Sequence, residues 1–176
     1  KKKTKYFSKN NNNILRINYL SENLKNSKFI IMFRDPLNHS ASLKNQYFNF
    51  LKIHHQDSFY IKYMNFLGHY EFGKNYKNYG FAQTMSNYKK EDINYWIQKW
   101  INVYSHLIKF KKSNVHFLSY EKFCANPKNT ISHLIKEKNE NLDIDTTTIK
   151  NKNLNIKNNS DISNKAYELY EMLKKL

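Results

Sequence analysis

Ile14, Leu15, Ile17, Leu20 and Leu24 recur at helical spacing, so about residues 12–25 read as an amphipathic helix. The period then changes. Lys28 to Phe33 is a short, continuous, β-rich apolar run, the pattern of a buried strand. Asp35-Pro36 follows at once. An aspartate can accept from free helix N–H groups and a proline has its φ preset, so a helix is predicted to start there and run through Ser42 to about Leu51. Residues 58–67 predict another helix, ending near Gly68. Residues 68–90, punctuated by Gly68, Gly73 and Gly80, read as loop. The longest helical pattern runs from Asp92 to Lys111, with Ile93, Trp96, Trp100, Val103, Tyr104 and Leu107 on one face. Val115 to Tyr120 repeats the buried-strand pattern. A short turn, a helix from Pro127 through Ile135, a polar Asn-rich loop over 139–160 and a helix from Ile162 to Leu176 complete the chain. The basic first eight residues are expected to be poorly ordered.

Two strands separated by long helices, with no hairpin signal, predict an α/β fold: a parallel sheet flanked by helices. The 176 residues are one domain's worth, so residues 1–176 are read as a single domain. A parallel sheet covered on both faces wants more than two strands. The chain also opens on a lysine with no apolar leader after it. The expectation is that part of the sheet lies upstream of this sequence.

Composition removes several classes. The longest strongly apolar run, Phe29 to Phe33, is far too short to span a bilayer. The one cysteine, Cys124, cannot form an internal disulfide, which points to a reducing, cytoplasmic compartment, and no metal-ligand cluster is present. Thirty basic residues against fourteen acidic give +16, a balance that favours anionic partners. Only Arg16 and Arg34 are arginines, however, and the lysines are spread along the chain rather than gathered in a stripe. In a sequence rich in Lys, Asn, Ile and Tyr, solvated lysine faces explain the charge, and no specific nucleic-acid partner is expected. A basic α/β module for nucleic acid or other polyanions stays as the competing reading.

The chemistry concentrates in KFIIMFRDPLNHSAS, residues 28–42. A strand delivers Arg34 to its carboxyl end, where ligands of α/β sheets sit. The helix start beyond it offers free N–H groups and partial positive charge. Arg34 adds a planar fork matched to phosphate oxygens, and Ser40 and Ser42 add hydroxyls. Alternatively, Arg34 pairs with Asp35 or another carboxylate and merely closes the strand. These residues alone leave both readings open.

The same segment resembles the 3′-phosphate-binding element of sulfotransferases that use 3′-phosphoadenosine 5′-phosphosulfate (PAPS): an apolar strand, then R-[DN]-P, then a serine eight residues after the arginine. Arg34 and Ser42 match that spacing. His39 stands where many members carry a second arginine. Upstream, Ser8-Lys9-Asn10-Asn11-Asn12-Asn13 occupies the place of the bacterial-type E-K-[TN]-P-x-N; Lys9 and Asn13 match, while Ser8 replaces the glutamate and Asn11 the proline. An arginine-containing helix follows there as here, with Arg16. Downstream, LSYEKFCANPKNT resembles the family's strand followed by Y-E-D-L and a D-P helix start, with Tyr120, Glu121 and Pro127 in register. LGHYEFG, the Trp96/Trp100 helix and the closing AYELYEMLKKL also resemble members.

The resemblance implies a P-loop-NTPase-like sulfotransferase fold, incomplete at its N-terminus, and transfer of a sulfuryl group from PAPS to a hydroxyl or amine of a glycan, lipid, peptide or small alcohol. Arg34, Ser42 and Ser40 would hold the 3′-phosphate half of the donor. The Gly- and Ser/Thr-rich turn for the 5′-phosphosulfate is not found, so a degenerate, non-catalytic relative stays open as an alternative to an enzyme whose donor loop lies upstream. Gly68 to Lys74 has phosphate-loop glycine spacing, but Asn75 stands where Ser or Thr should be and a helical pattern precedes it, so it is read as coincidence. Lys9 could polarise sulfuryl oxygens, and His69, with Glu71 in the same loop, is a candidate base. His39 is the other histidine placed near the cleft. Tyr120 and Glu121 are read as buttresses of the fold, and the two tryptophans as core.

Overall fold

The computed structural model describes residues 6–81, 88–135, 147, 149–152, 154 and 156–176. A 3-10 segment, Asn11–Arg16, capped by the Asn10 side chain, runs into α1, Ile17–Asn23. Strand β1, Phe29–Phe33, leads into the 21-residue α2, Pro36–Gln56, and then α3, Ser58–Phe66. After the loop come α4, Ile93–Leu107, and β2, Val115–Ser119. Helices α5, Tyr120–Ala125, α6, Pro127–Ile135, and α7, Asp161–Lys174, follow.

β1 and β2 pair in parallel, Phe29 opposite Val115 through Phe33 opposite Ser119. The long crossover between them is what a parallel pair requires. Helix α4 is the centre of the molecule, packed between α2 and α7. Its aromatic face is sealed: Trp96, Ile97 and Trp100 are 0–1% exposed. Around it gather Phe33, Leu37, Val115, Ala166 and Leu173. The Tyr104 hydroxyl donates to the Met32 carbonyl at 2.9 Å, pinning α4 to the strand.

Three details differ from the expectation. β1 is not buried on both faces: Ile30 and Met32 are 48% and 42% exposed, whereas α5 and α7 lie against β2. Helix α2 continues past Leu51 to Gln56, since nothing stops it and His54 packs inward against Phe50 and Met64. The short turn after β2 is instead the helix α5, N-capped by the Ser119 hydroxyl. Most of the Asn-rich 139–160 stretch, and the first five residues, lie outside the described residues. Among those described, no helix is long and apolar enough to cross a membrane.

Candidate functional site

The junction of β1, α2, β2 and α7 is closed by two carboxylates. Asp35 caps α2, its Oδ1 accepting from the Asn38 N–H at 2.8 Å, and its Oδ2 accepts from the Tyr167 hydroxyl at 3.1 Å. Glu121 accepts from the Asp35 N–H at 2.8 Å, the Ser119 hydroxyl at 2.8 Å and the Tyr170 hydroxyl at 3.0 Å. Burial pushes the Glu121 carboxyl up, but these donors outweigh it and hold it below the usual carboxylate range. Glu121 is therefore a clamp between the two strand ends and the last helix.

Arg34 emerges beside this clamp without joining it. Asp35 and Glu121 are engaged elsewhere, and Arg34 makes no ion pair among the described residues. Its guanidinium lies over the Tyr120 ring, 5.1 Å from the centroid, and Nη2 donates to the Lys152 carbonyl. Nε is buried with no partner among the described residues. The Tyr120 hydroxyl donates to the Lys150 carbonyl at 3.0 Å, and the Leu154 N–H to Asn38 Oδ1 at 2.7 Å. Thus Lys150, Lys152 and Leu154 lie over the start of α2, and Ser42 lies exposed one helical turn beyond Asn38 on the same face. A buried, unpaired Nε beside a helix start is a donor set that fits a phosphate oxyanion.

Ser40 is not brought to this face. It is 0% exposed, turned inward with Pro36, Leu37 and Ala41, and its hydroxyl has no partner among the described residues. His39 adds no charge: burial, then Arg34, then Lys99 lower it to about 4, against a weaker pull from Glu121, so it is neutral at pH 7.

His69 and Lys9 lie elsewhere. His69 is exposed after α3, its Nδ1 3.2 Å from Glu71 Oε1. Lys9 is exposed just before the Asn10 cap. Glu71, two residues after His69, and Asn12, three residues after Lys9, line one cavity of about 460 Å³, which Lys9, His69, Arg34, Ser40 and Ser42 do not line. The Gly68 to Lys74 string forms no phosphate loop: α3 precedes it, no helix follows over residues 75–81, and the space beside Gly73 is filled by the His54 ring.

The sequence reading missed Lys99, which lines the same cavity from α4 and is 7% exposed. Its signal was positional: three residues after Trp96 and one before Trp100, it sits within the inward face. It also missed Lys152, whose carbonyl contact with Arg34 has no local sequence signature. Among the described residues there is no metal-ligand cluster.

A family model described as the sulfotransferase family matches residues 1–141. No curated protein and no solved structure matches the chain.

Proposed function

The chain belongs to the sulfotransferase family, and from that premise we propose that it takes part in transfer of a sulfuryl group from PAPS to an acceptor hydroxyl or amine. The bond between sulfur and the 5′-phosphate oxygen breaks. A sulfur–oxygen or sulfur–nitrogen bond to the acceptor forms, the acceptor proton passes to a base, and adenosine 3′,5′-bisphosphate leaves.

Arg34 and Ser42 are the residues assigned to the 3′-phosphate. The observation that carries this assignment is Arg34 itself, delivered by a strand end and, among the described residues, free of carboxylates and with a buried Nε lacking an acceptor. The α2 N-terminus adds partial positive charge at the same place. Ser40, sealed in the core, is left out of the contact set. Lys9 is assigned to the leaving 5′-phosphate or the sulfuryl oxygens, where an ammonium would stabilise the charge that develops during transfer. His69 is assigned as base. With its Nδ1 proton directed at Glu71, Nε2 is the atom that accepts. The compartment assigned to the reaction is the cytoplasm, a reading supported by the free Cys124 thiol, which a reducing compartment preserves.

The test is calorimetric titration with adenosine 3′,5′-bisphosphate in moderate salt. Saturable binding that disappears in Arg34→Ala supports the assignment. Binding only to long nucleic acid, with affinity falling steeply as salt rises, would instead establish a polyanion-binding module.

A further inference from the structure

The cavity of about 460 Å³ between the 3-10 segment, the 68–80 loop and α4 is large enough for a small ligand. At its inner wall stands Lys99. Aromatic rings surround the ammonium, with centroids 4.5 Å away for Tyr76, 5.5 Å for Trp96 and 5.8 Å for Tyr79. Rings satisfy its charge in part, but they accept none of its three N–H bonds well. Among the described residues it has no hydrogen bond or ion pair to oxygen, although Glu71 lines the same cavity. A buried ammonium facing open space, with a carboxylate in that cavity held off beyond 4 Å, leaves room for an oxygen ligand between them.

The remaining lining defines that ligand. Arg16 and Lys77 join Lys99 against the single carboxylate of Glu71, so the wall carries a net positive charge. Arg16 is steadied by Asn13 at 2.9 Å, and Lys77 lies 4.2 Å over the Tyr70 ring. Asn12, Asn78 and Tyr79 add amide and phenol groups suited to hydroxyls. Burial lowers Lys99 to about 8, against an opposing pull from Glu71 and with a further push from Lys90, so it is mostly protonated at pH 7.

We infer that this cavity holds the acceptor, and that the acceptor is a hydroxyl-rich small molecule bearing a carboxylate or sulfate, its anionic group seated on Lys99 and Arg16. The inference rests on the sulfotransferase reading for the word acceptor; the binding itself does not. Glu71, whose Oε1 is 3.2 Å from His69 Nδ1, shares the cavity wall with Lys99. Lys99 and Arg16 are binding residues, not proton carriers.

The experiment is titration of the whole chain with D-glucuronate, D-glucose 6-sulfate and D-glucose, with adenosine 3′,5′-bisphosphate titrated into the same preparation. At least tenfold tighter binding of one or both anionic sugars than of glucose is expected, and which one binds identifies the anion. Lys99→Met should weaken that binding at least tenfold, and Arg16→Ala, at an exposed position safe for folding, about threefold. Equal affinity for all three sugars, binding of none, or undiminished binding in Arg16→Ala together with a folded Lys99→Met overturns the inference. Bisphosphate binding that survives such a failure leaves the donor assignment standing; loss of bisphosphate binding with anionic sugar still bound does the reverse.

Discussion

Glu121 and Lys99 are both ionisable groups facing the interior, and they are treated in opposite ways. Three donors converge on Glu121, all of them from outside α5, and its charge holds strands and last helix together. Lys99 is given rings and open space. A charge that is fully answered by its own chain contributes to stability. A charge left short of an acceptor is tolerated at a cost, and that cost is recovered when a ligand supplies the oxygen. Arg34 lies between the extremes, with one nitrogen bound to a carbonyl and another unpaired.

Substitutions at the two kinds of position should therefore move stability in opposite directions. The largest effect is expected for Glu121→Ala. Three donors lose a charged acceptor, so stability should fall by about 3 kcal/mol, read as a melting temperature lower by roughly 10 °C. A shift under about 2 °C would dissolve the contrast. Arg34→Ala should leave melting nearly unchanged while weakening adenosine 3′,5′-bisphosphate about hundredfold, the loss of a charge-assisted contact of about 3 kcal/mol.

His39 tests the contrast by pH. Its folded value, about 4, lies below its unfolded value of 6.5. The unfolded chain thus takes up the proton first, and stability is lost as pH falls from about 6.5 towards 4. Denaturant titrations should show about 2 kcal/mol less of that loss in His39→Gln, after allowing for the ring's partial exposure; parallel pH profiles would refute the buried neutral imidazole. Lys99→Met is expected to raise stability at pH 7. Lowering a lysine from 10.5 to about 8 corresponds to about 3 kcal/mol, of which lost ring contacts return roughly 2, leaving a gain of about 1 kcal/mol. The wild-type chain binds fewer protons at this site when folded, so its deficit should close as pH rises from about 8 to 10.5. Ser42→Ala should weaken bisphosphate binding by about 1 kcal/mol, roughly fivefold, and an unchanged dissociation constant removes Ser42 as a ligand.

Local signals made the frame legible. Asp35-Pro36 marked the start of α2 because capping is a property of adjacent residues. The apolar runs marked both strands to within a residue at either end. What escaped depends on distant neighbours. Nothing within Phe29–Phe33 says that only one face will be covered. The end of α2 is set by what packs on His54. Lys99 was concealed by number, one lysine among 28, although its place between the two tryptophans was visible. Ser40 and Ser42 differ by two residues, and only the helix phase separates an inward hydroxyl from an outward one.

Gly73 has φ +80°, and a β-carbon built on it would come within 2.4 Å of the His54 ring. The loop that carries Glu71 and Tyr79 is thus fastened to the end of α2 at a place where one hydrogen atom is all the side chain that fits. Lys77 and Asn78, exposed further along that loop, line the cavity and can be exchanged without touching the fastening, whereas a side chain at position 73 would have to displace the His54 ring.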